Sequence, residues 1–587
     1  MMNTTHFFLK NEENDTKAFE DAVKAAQRTN GAKELVLQPK TYYLDATVLL
    51  QNVTDLTVRG NGATLIMTNF VQAIRLENCE RVTVRDVTVD YDPLPFTQGV
   101  VVGLEEELTL VKIDDGYPIN LEYLNQDTIW GSAHDPKTGG IKPGSSHTYS
   151  FRNGEEREGR VVAFPGKPHR KLEVGDQLSL FPRKDGAIHA KNCRDITLYE
   201  VNVFSAPGFG ISAAGGYGNI VLKNTNIVPG PIPQGATKPR MRSVNADGSH
   251  FSDHVVGPTF DGCRVTHCGD DGINVHAFYF HILEVKDERT FIACPKYDRN
   301  DLSVGERLEF GEKDSYDYIG EAVITKFEKR YDPSYAAEKE IAWARTYHWK
   351  NEGDCIYEIE LDTALPLKQF DHFTPLSRLS PGTTVKNCTF GWNRARGIVI
   401  KSPDAVIENN YVEGCSNDAV MVLPDLAWAE SHFGKNLMVR GNTFVNNCLC
   451  YNAVEEGNVD CIGTVVIGVV PVFQTVGFME TYGNKNITIE DNTILGSHTY
   501  GIVVTNAEGV TIRNNTIVDP FYDGAGVAGG VYKTPADSAI LIGKAKDITV
   551  TGNTVTAKHP DVTQAVSFHE TCSDIRLFEN NVFNTQK

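Results

Sequence analysis

The sequence has no apolar run of the ~18 residues that a membrane-spanning helix needs, no Cys-x-x-Cys pair and no cluster of lysine and arginine. The first absence excludes a transmembrane helix. The second removes the common thiolate zinc frames. The third, with a formal net charge of −20, makes nucleic acid and anionic membrane poor partners. Met1 to Asp15 holds no apolar signal core, only HFFL. The expected location is therefore the cytoplasm if this is the whole chain, and the periplasm or exterior if an N-terminal segment was trimmed. Nothing in the composition opposes a homo-oligomer.

What the chain does have is a repeat. Asparagines precede short Val/Ile/Thr-rich segments at Asn387, Asn410, Asn442, Asn492, Asn515, Asn553 and Asn581, at intervals of 23, 32, 50, 23, 38 and 28 residues. Weaker copies begin at Glu77, Lys191 and Gly218. Periods of about twenty to fifty residues mark a solenoid, and rungs made only of strands predict an all-β, right-handed parallel β-helix. The repeated asparagine could be read as a glycosylation acceptor, since Asn387 begins an N-x-T. Stacking of the asparagine amides into a ladder at one turn of each rung fits the repeat better. Of the 12 cysteines, Cys79, Cys193 and Cys388 each follow Asn at what reads as the same rung position. They are expected as buried thiols, which favours a reducing compartment.

Two stretches break the rhythm, residues 97–183 and 277–378. Both carry one phrase, EVGDQLSLF from Glu173 and SVGERLEFG from Ser303, as a strand–turn–strand corner would. They are read as two small β-barrels inserted into the helix. The chain then divides into a cap and first rungs (1–96), barrel one (97–183), rungs carrying an acidic cluster (184–276), barrel two (277–378) and C-terminal rungs (379–587). Asp15 to Gln27 has an N-cap aspartate and apolar Phe19, Ala22, Val23 and Ala26 at helical spacing, which predicts a capping helix over the open end.

The acidic cluster is the chemistry-bearing feature. NADGSHF places Asp247 twenty-three residues before Asp270 in CGDDGINVH, one rung from the pair Asp270 and Asp271. Rungs are about 4.8 Å apart, so three carboxylates share one surface, as acid–base hydrolysis requires. A lone Asp-Gly is usually a turn; three aspartates with His250, His254, His267 and His276 nearby exceed what a turn needs. Two other readings stay open. Calcium held by the acids would make a lyase, although GDDGINVH holds no basic residue to remove a proton. A non-catalytic glycan-binding spike would need no chemistry at all.

NADG followed by CGDDGINVH resembles the active-site pattern of polygalacturonases. With DYDPLPFTQG (Asp90 to Gly99), DGSHFSD and GDDGINVH, the chain is more similar to glycoside hydrolase family 110, the α-1,3-galactosidases, over nearly its whole length. The polygalacturonase Gly-His-Gly is absent and its Arg-Ile-Lys is matched only by GIVIK, Gly397 to Lys401. Pectin is thereby disfavoured, as it is by the net charge. The resemblance implies an exo-acting hydrolase taking a glycan with terminal α-1,3-linked galactose, as on blood group B chains, with inversion and without metal or cofactor. It implies Asp247 as general acid, with Asp270 and Asp271 positioning and deprotonating water.

Substrate contacts are expected from Trp428 and Glu430 in LPDLAWAESHFGKN, where an aromatic face adjoins a carboxylate. Arg394 and Arg396 in NRARG are placed to bond sugar hydroxyls or the aspartate pair, a surface salt bridge being the alternative for one of them. His250 and His276 flank the acids, either as hydrogen-bond donors to substrate or as structural histidines.

Overall fold

The computed structural model describes residues 4–9, 14–146, 148–296, 302–313, 315–332, 334–335, 355–450, 462–469, 477–522, 532 and 534–585. Its frame is a parallel β-helix with three faces per rung. One face runs through Ile188–Lys191, Ile211–Ala214, Ser249–Ser252, Ile273–Phe278 and Ile398–Ile400, each paired in parallel with the next. The inward residues of these strands, Ile188, Ile211, Phe251, Ile273, Val275 and Ile400, belong to one continuous core. The outward residues of this face carry the site.

The asparagine ladder is present and its logic is local. At one corner the first of two residues takes the left-handed region: Asn409 (φ 56°), Asp491 (56°), Asn514 (56°) and Gly552 (69°). Such values suit Asn, Asp and Gly. The second residue turns inward. Asn410 Nδ2 donates to Asn442 Oδ1 (3.0 Å), Asn442 to Asn492, Asn492 to Asn515 and Asn515 to Asn553 (each 2.9 Å), and Asn553 to Asn581 (2.8 Å). The amides from Asn410 to Asn553 are buried, each spare N–H satisfied by a strand carbonyl, as at Ile489 and Val439. Asn387 departs from the expectation. It fills the left-handed seat (φ 56°), and Cys388 takes the inward one, its N–H bonded to Asn410 Oδ1 at 3.0 Å. Cys79 and Cys193 turn a different corner, between Ile74–Glu77 and Glu80–Tyr91 and between Ile188–Lys191 and Arg194–Val203. The shared Asn-Cys spelling therefore did not mean one rung position. Of the eleven described cysteines, ten are buried.

The helix Asp15–Gln27 covers the end of the core with Phe19, Ala22, Val23 and Ala26. Its N-cap is Asn14, whose side chain accepts from the Lys17 N–H. Asp15 instead turns back and accepts from the Tyr43 N–H at 2.9 Å.

Between Thr97 and Phe181 the chain builds a seven-stranded antiparallel sheet, and between Phe280 and Pro375 a closed six-stranded barrel. The first differs from the barrel expected there. Its two edges, Tyr149–Phe151 and Glu155–Arg157, are three residues long and do not pair with each other, so the sheet is not closed. Both repeated phrases form a glycine turn into a strand, with Gly175 at φ 101° and Gly305 at φ 91°. The two insertions grip the rungs at the acidic cluster. Asn245 donates to the Pro95 carbonyl (2.8 Å) and the Pro182 carbonyl (2.9 Å), tying both ends of the first insertion together two residues before Asp247. The strand Ile273–Phe278 runs into the barrel, and its end pairs antiparallel with Glu430–Ser431.

Candidate active site

The three aspartates meet. Strand register aligns Ser249 with Ile273, so Asp247 stacks on Asp271, and Asp270 lies over Ala246, to whose carbonyl its N–H donates (3.2 Å). The register is thus 24 residues, the separation over which the Asp271 N–H donates to Asp247 Oδ1 (3.3 Å). One carboxylate oxygen from each of Asp247, Asp270 and Asp271 lies within 4.8 Å of the others. Cradling them requires glycines on either side. A Cβ on Gly248 would fall 2.6 Å from the Gly272 carbonyl oxygen, and one on Gly272 2.4 Å from that of Gly397.

They are not exposed on the solenoid surface as the sequence suggested. Asp247 is 5% and Asp271 4% exposed, packed among His250, Arg396 and each other. Burial raises the Asp271 pKa to about 7, with Arg396 opposing and Asp247 and Asp270 assisting. Burial likewise raises that of Asp247, with His250 opposing and Asp270 assisting. Asp270 is held differently. Arg183 Nη2 donates to its Oδ2 at 2.5 Å and Arg394 Nη2 to its Oδ1, a charge-assisted grip that keeps it ionised. Both arginines of NRARG therefore serve the aspartates: the Arg396 N–H and Nη1 reach Asp271 Oδ1 at 3.0 and 3.3 Å. Neither makes a mere surface bridge.

A second polar cluster adjoins the first along the outward face. His250 Nδ1 lies 2.7 Å from Asp247 Oδ2, and its Nε2 is 2.9 Å from His276 Nε2. Phe209 stacks on His250, centroids 4.7 Å apart. His276 Nδ1 donates to the Ala277 carbonyl (2.8 Å), and burial pushes its pKa down to about 3. It is neutral, with the Nε2 lone pair toward His250. Burial works against a charge on His250, but the Asp247 contact prevails and raises its pKa. Glu430 ends this cluster: its Oε2 accepts from Lys401 Nζ (2.5 Å) and Asn274 Nδ2 (3.4 Å), and its Oε1 is 3.7 Å from His276 Nε2. Burial would raise the Glu430 pKa; Lys401 leads the groups that hold it well below normal. Trp428 is 60% exposed, its ring 4.9 Å from Lys296 Nζ, on the rim and not among the acids. Arg183, Lys401, Asn274 and Phe209 were not singled out from sequence. Lys401 belongs to GIVIK, and the rung register that lines it up with His276 was the available signal.

Two groups have spacings a cation could use, His250–His276–Glu430 and Asp247–Asp270–Asp271. In each, protein cations already pair with carboxylates: Lys401 with Glu430, and Arg183, Arg394 and Arg396 with the aspartates.

Residues 376–587 match the family model described as the right handed beta helix region, the hand expected of the rungs. The chain is 27% identical to alpha-1,3-galactosidase B of Bacteroides thetaiotaomicron, covering 80% of this chain and 75% of the relative. It is 25% identical to alpha-1,3-galactosidase A of Bacteroides fragilis, with the same coverages. The chain is a glycoside hydrolase, similar to the α-1,3-galactosidases. Among solved structures, the glycosidase is similar to the catalytic unit of an alpha-1,3-glucanase from Streptomyces thermodiastaticus, with 11% identity and a TM-score of 0.42, over 98% of this chain and 70% of that one. In the DYDPLPFTQG segment of this glycosidase, Asp90 forms a buried two-pronged pair with Arg240 at 2.8 and 2.9 Å.

Proposed function

We propose that the protein releases terminal α-1,3-linked galactose from glycans, blood group B chains and linear α-1,3-galactosides among them, by metal-independent acid–base hydrolysis with inversion. The observation that carries this is the unequal treatment of three adjacent carboxyls. Asp270 is pinned as an anion by two guanidiniums, whereas Asp247 and Asp271 are buried and pushed toward retaining a proton. An acid and a base with separated affinities are what such hydrolysis needs. Asp247, hydrogen-bonded to His250, is the acid that protonates the departing oxygen. Asp270 and Asp271 position and deprotonate the attacking water, and Asp270 carries the negative field under the developing oxocarbenium charge.

The spacing supports a water nucleophile. A water bonding two oxygens at about 2.8 Å each spans up to about 5.6 Å, and the three oxygens lie within 4.8 Å. That spacing suits one water held between two acids on the same side. The names of the curated relatives supply the substrate.

The test is a panel of galactosyl-α-1,3-galactose, the branched B trisaccharide, galactosyl-α-1,4-galactose and polygalacturonate, with the first-formed sugar followed by NMR. Release of β-galactose from the two α-1,3 substrates alone is expected. Release from polygalacturonate alone, or α-galactose appearing first, overturns the assignment.

A further inference from the structure

Away from the acids, a cleft of about 460 Å3 opens between the first insertion and the rungs. Its wall is aromatic: Phe70 and Tyr123 pack with centroids 3.9 Å apart. Asn120, Gln126, Lys184 and Asp185 also line it. Two observations mark it as unfilled. Tyr123 is 94% withdrawn from solvent, yet its hydroxyl has no hydrogen-bond partner among the described residues, where buried tyrosine hydroxyls usually find one. Lys184 and Asp185, exposed neighbours in the chain, enter no ion pair among the described residues.

Its place in the fold relates it to the catalytic cluster. Lys184 and Asp185 directly follow Arg183, which grips Asp270. The register through Ile188, Ile211, Ser249 and Ile273 puts Asp185 in one column with Gly208, Ala246 and Asp270. Three rung steps of about 4.8 Å separate Asp185 from Asp270, or about 14 Å. The two positions between them bear a hydrogen and a methyl group. At Gly208 any Cβ would fall 1.9 Å from the Lys184 carbonyl oxygen, so that column stays low. A short oligosaccharide spans such a distance.

We propose that this cleft is a second sugar subsite, holding a neutral hexose or N-acetylhexosamine unit of the glycan whose terminal galactose is cleaved at Asp247 and Asp271. It rests on the reading of the acidic cluster as a galactosidase site. A pyranose ring has an apolar face for an aromatic side chain, and hydroxyls for amides, a carboxylate and an ammonium. The orphaned Tyr123 hydroxyl, the Lys184 ammonium and the Asp185 carboxylate offer both kinds of hydrogen bond.

The experiment uses the full chain with Gln126→Ala and Asp185→Ala combined, both at exposed positions. KM for an α-galactose-capped pentasaccharide, taken relative to KM for an aryl α-galactoside, is expected to rise about tenfold, the equivalent of removing one good hydrogen bond to the sugar. An unchanged ratio overturns the proposal. A second arm titrates lactose against Asp271→Asn protein by saturation-transfer NMR. Signal that disappears when the two cleft substitutions are added supports the subsite; signal that persists, or none from the start, refutes it. If the unaltered enzyme releases no galactose from either substrate, the galactosidase reading falls, and the lactose arm still decides the cleft.

Discussion

His250 and His276 face each other through Nε2 atoms 2.9 Å apart, and only His250 can supply the proton between them. The His276 Nδ1 hydrogen is committed to the Ala277 carbonyl, leaving its Nε2 as acceptor. On its other side His250 meets Asp247. A single proton is thus shared between Asp247 and His250, resting on Asp247 when the acid is ready to donate and on His250 Nδ1 otherwise. His250→Gln retains a hydrogen bond to Asp247 but cannot relay. Cleavage of natural galactosides should fall roughly 10²-fold, with a smaller loss on an aryl galactoside whose leaving group needs no proton. Equal losses on both would remove His250 from the proton path.

The aspartates should separate by the same comparison. Asp247→Asn should hurt poor leaving groups most; Asp271→Asn should slow both substrates alike, each by roughly 10²–10⁴-fold. Asp270→Asn weakens the hold on water and the field, so it too slows both. Intact cleavage of natural glycans by Asp247→Asn would place the acid elsewhere.

Burial reverses the stability effect expected for surface carboxyls. The folded-state pKa of Asp271 is raised, so its contribution is favourable below the unfolded value of about 3.9. It is lost as pH climbs through the folded value. At pH 8 the ionised form is a burden, and Asp271→Asn should melt higher than the parent while being nearly inactive. Near pH 4 the gap should close. A Tm difference that stays constant from pH 4 to 8 would contradict burial of a carboxylate as its cause.

Arg394 and Asp270 form a pair in which removing one partner leaves the other poorly compensated. Arg394→Gln should destabilise by up to about 3–5 kcal/mol, moderated by Arg183, and adding Asp270→Asn should restore part of the loss. Denaturant titration of the two single variants and the double variant measures the coupling.

Full activity after exhaustive EDTA treatment is expected, since lysine and arginine supply the positive charge beside both acidic groups. Activity that disappears and returns with calcium would identify a metal enzyme.

The rungs, the asparagine ladder and the three aspartates were legible because each depends on local chemistry repeated in register. Left-handed corner residues select Asn, Asp or Gly, and the next residue stacks. The cysteines misled because their Asn-Cys spelling occurs at two corners of the same rung. Burial of the site was not legible, since the acids are gripped from far along the chain, as by Arg183, 87 residues before Asp270. Lys401 and Glu430 are paired across a turn that periodicity does not describe. The openness of the first insertion depends on two three-residue edges that composition alone does not distinguish from a barrel seam.

The ladder gives the site an address by storey. Asp247 and Asp271 are 24 residues apart and Asp271 and Arg396 are 125 apart, yet both pairs stand on adjacent floors. The extra hundred residues leave the stack at a corner, build the six-stranded barrel and return without shifting a strand. Lengthening or replacing an outward turn of this scaffold should therefore change what surrounds the acids while leaving their spacing untouched. Chemistry and substrate choice can thus vary independently, the first carried by the column and the second by whatever is hung from its corners.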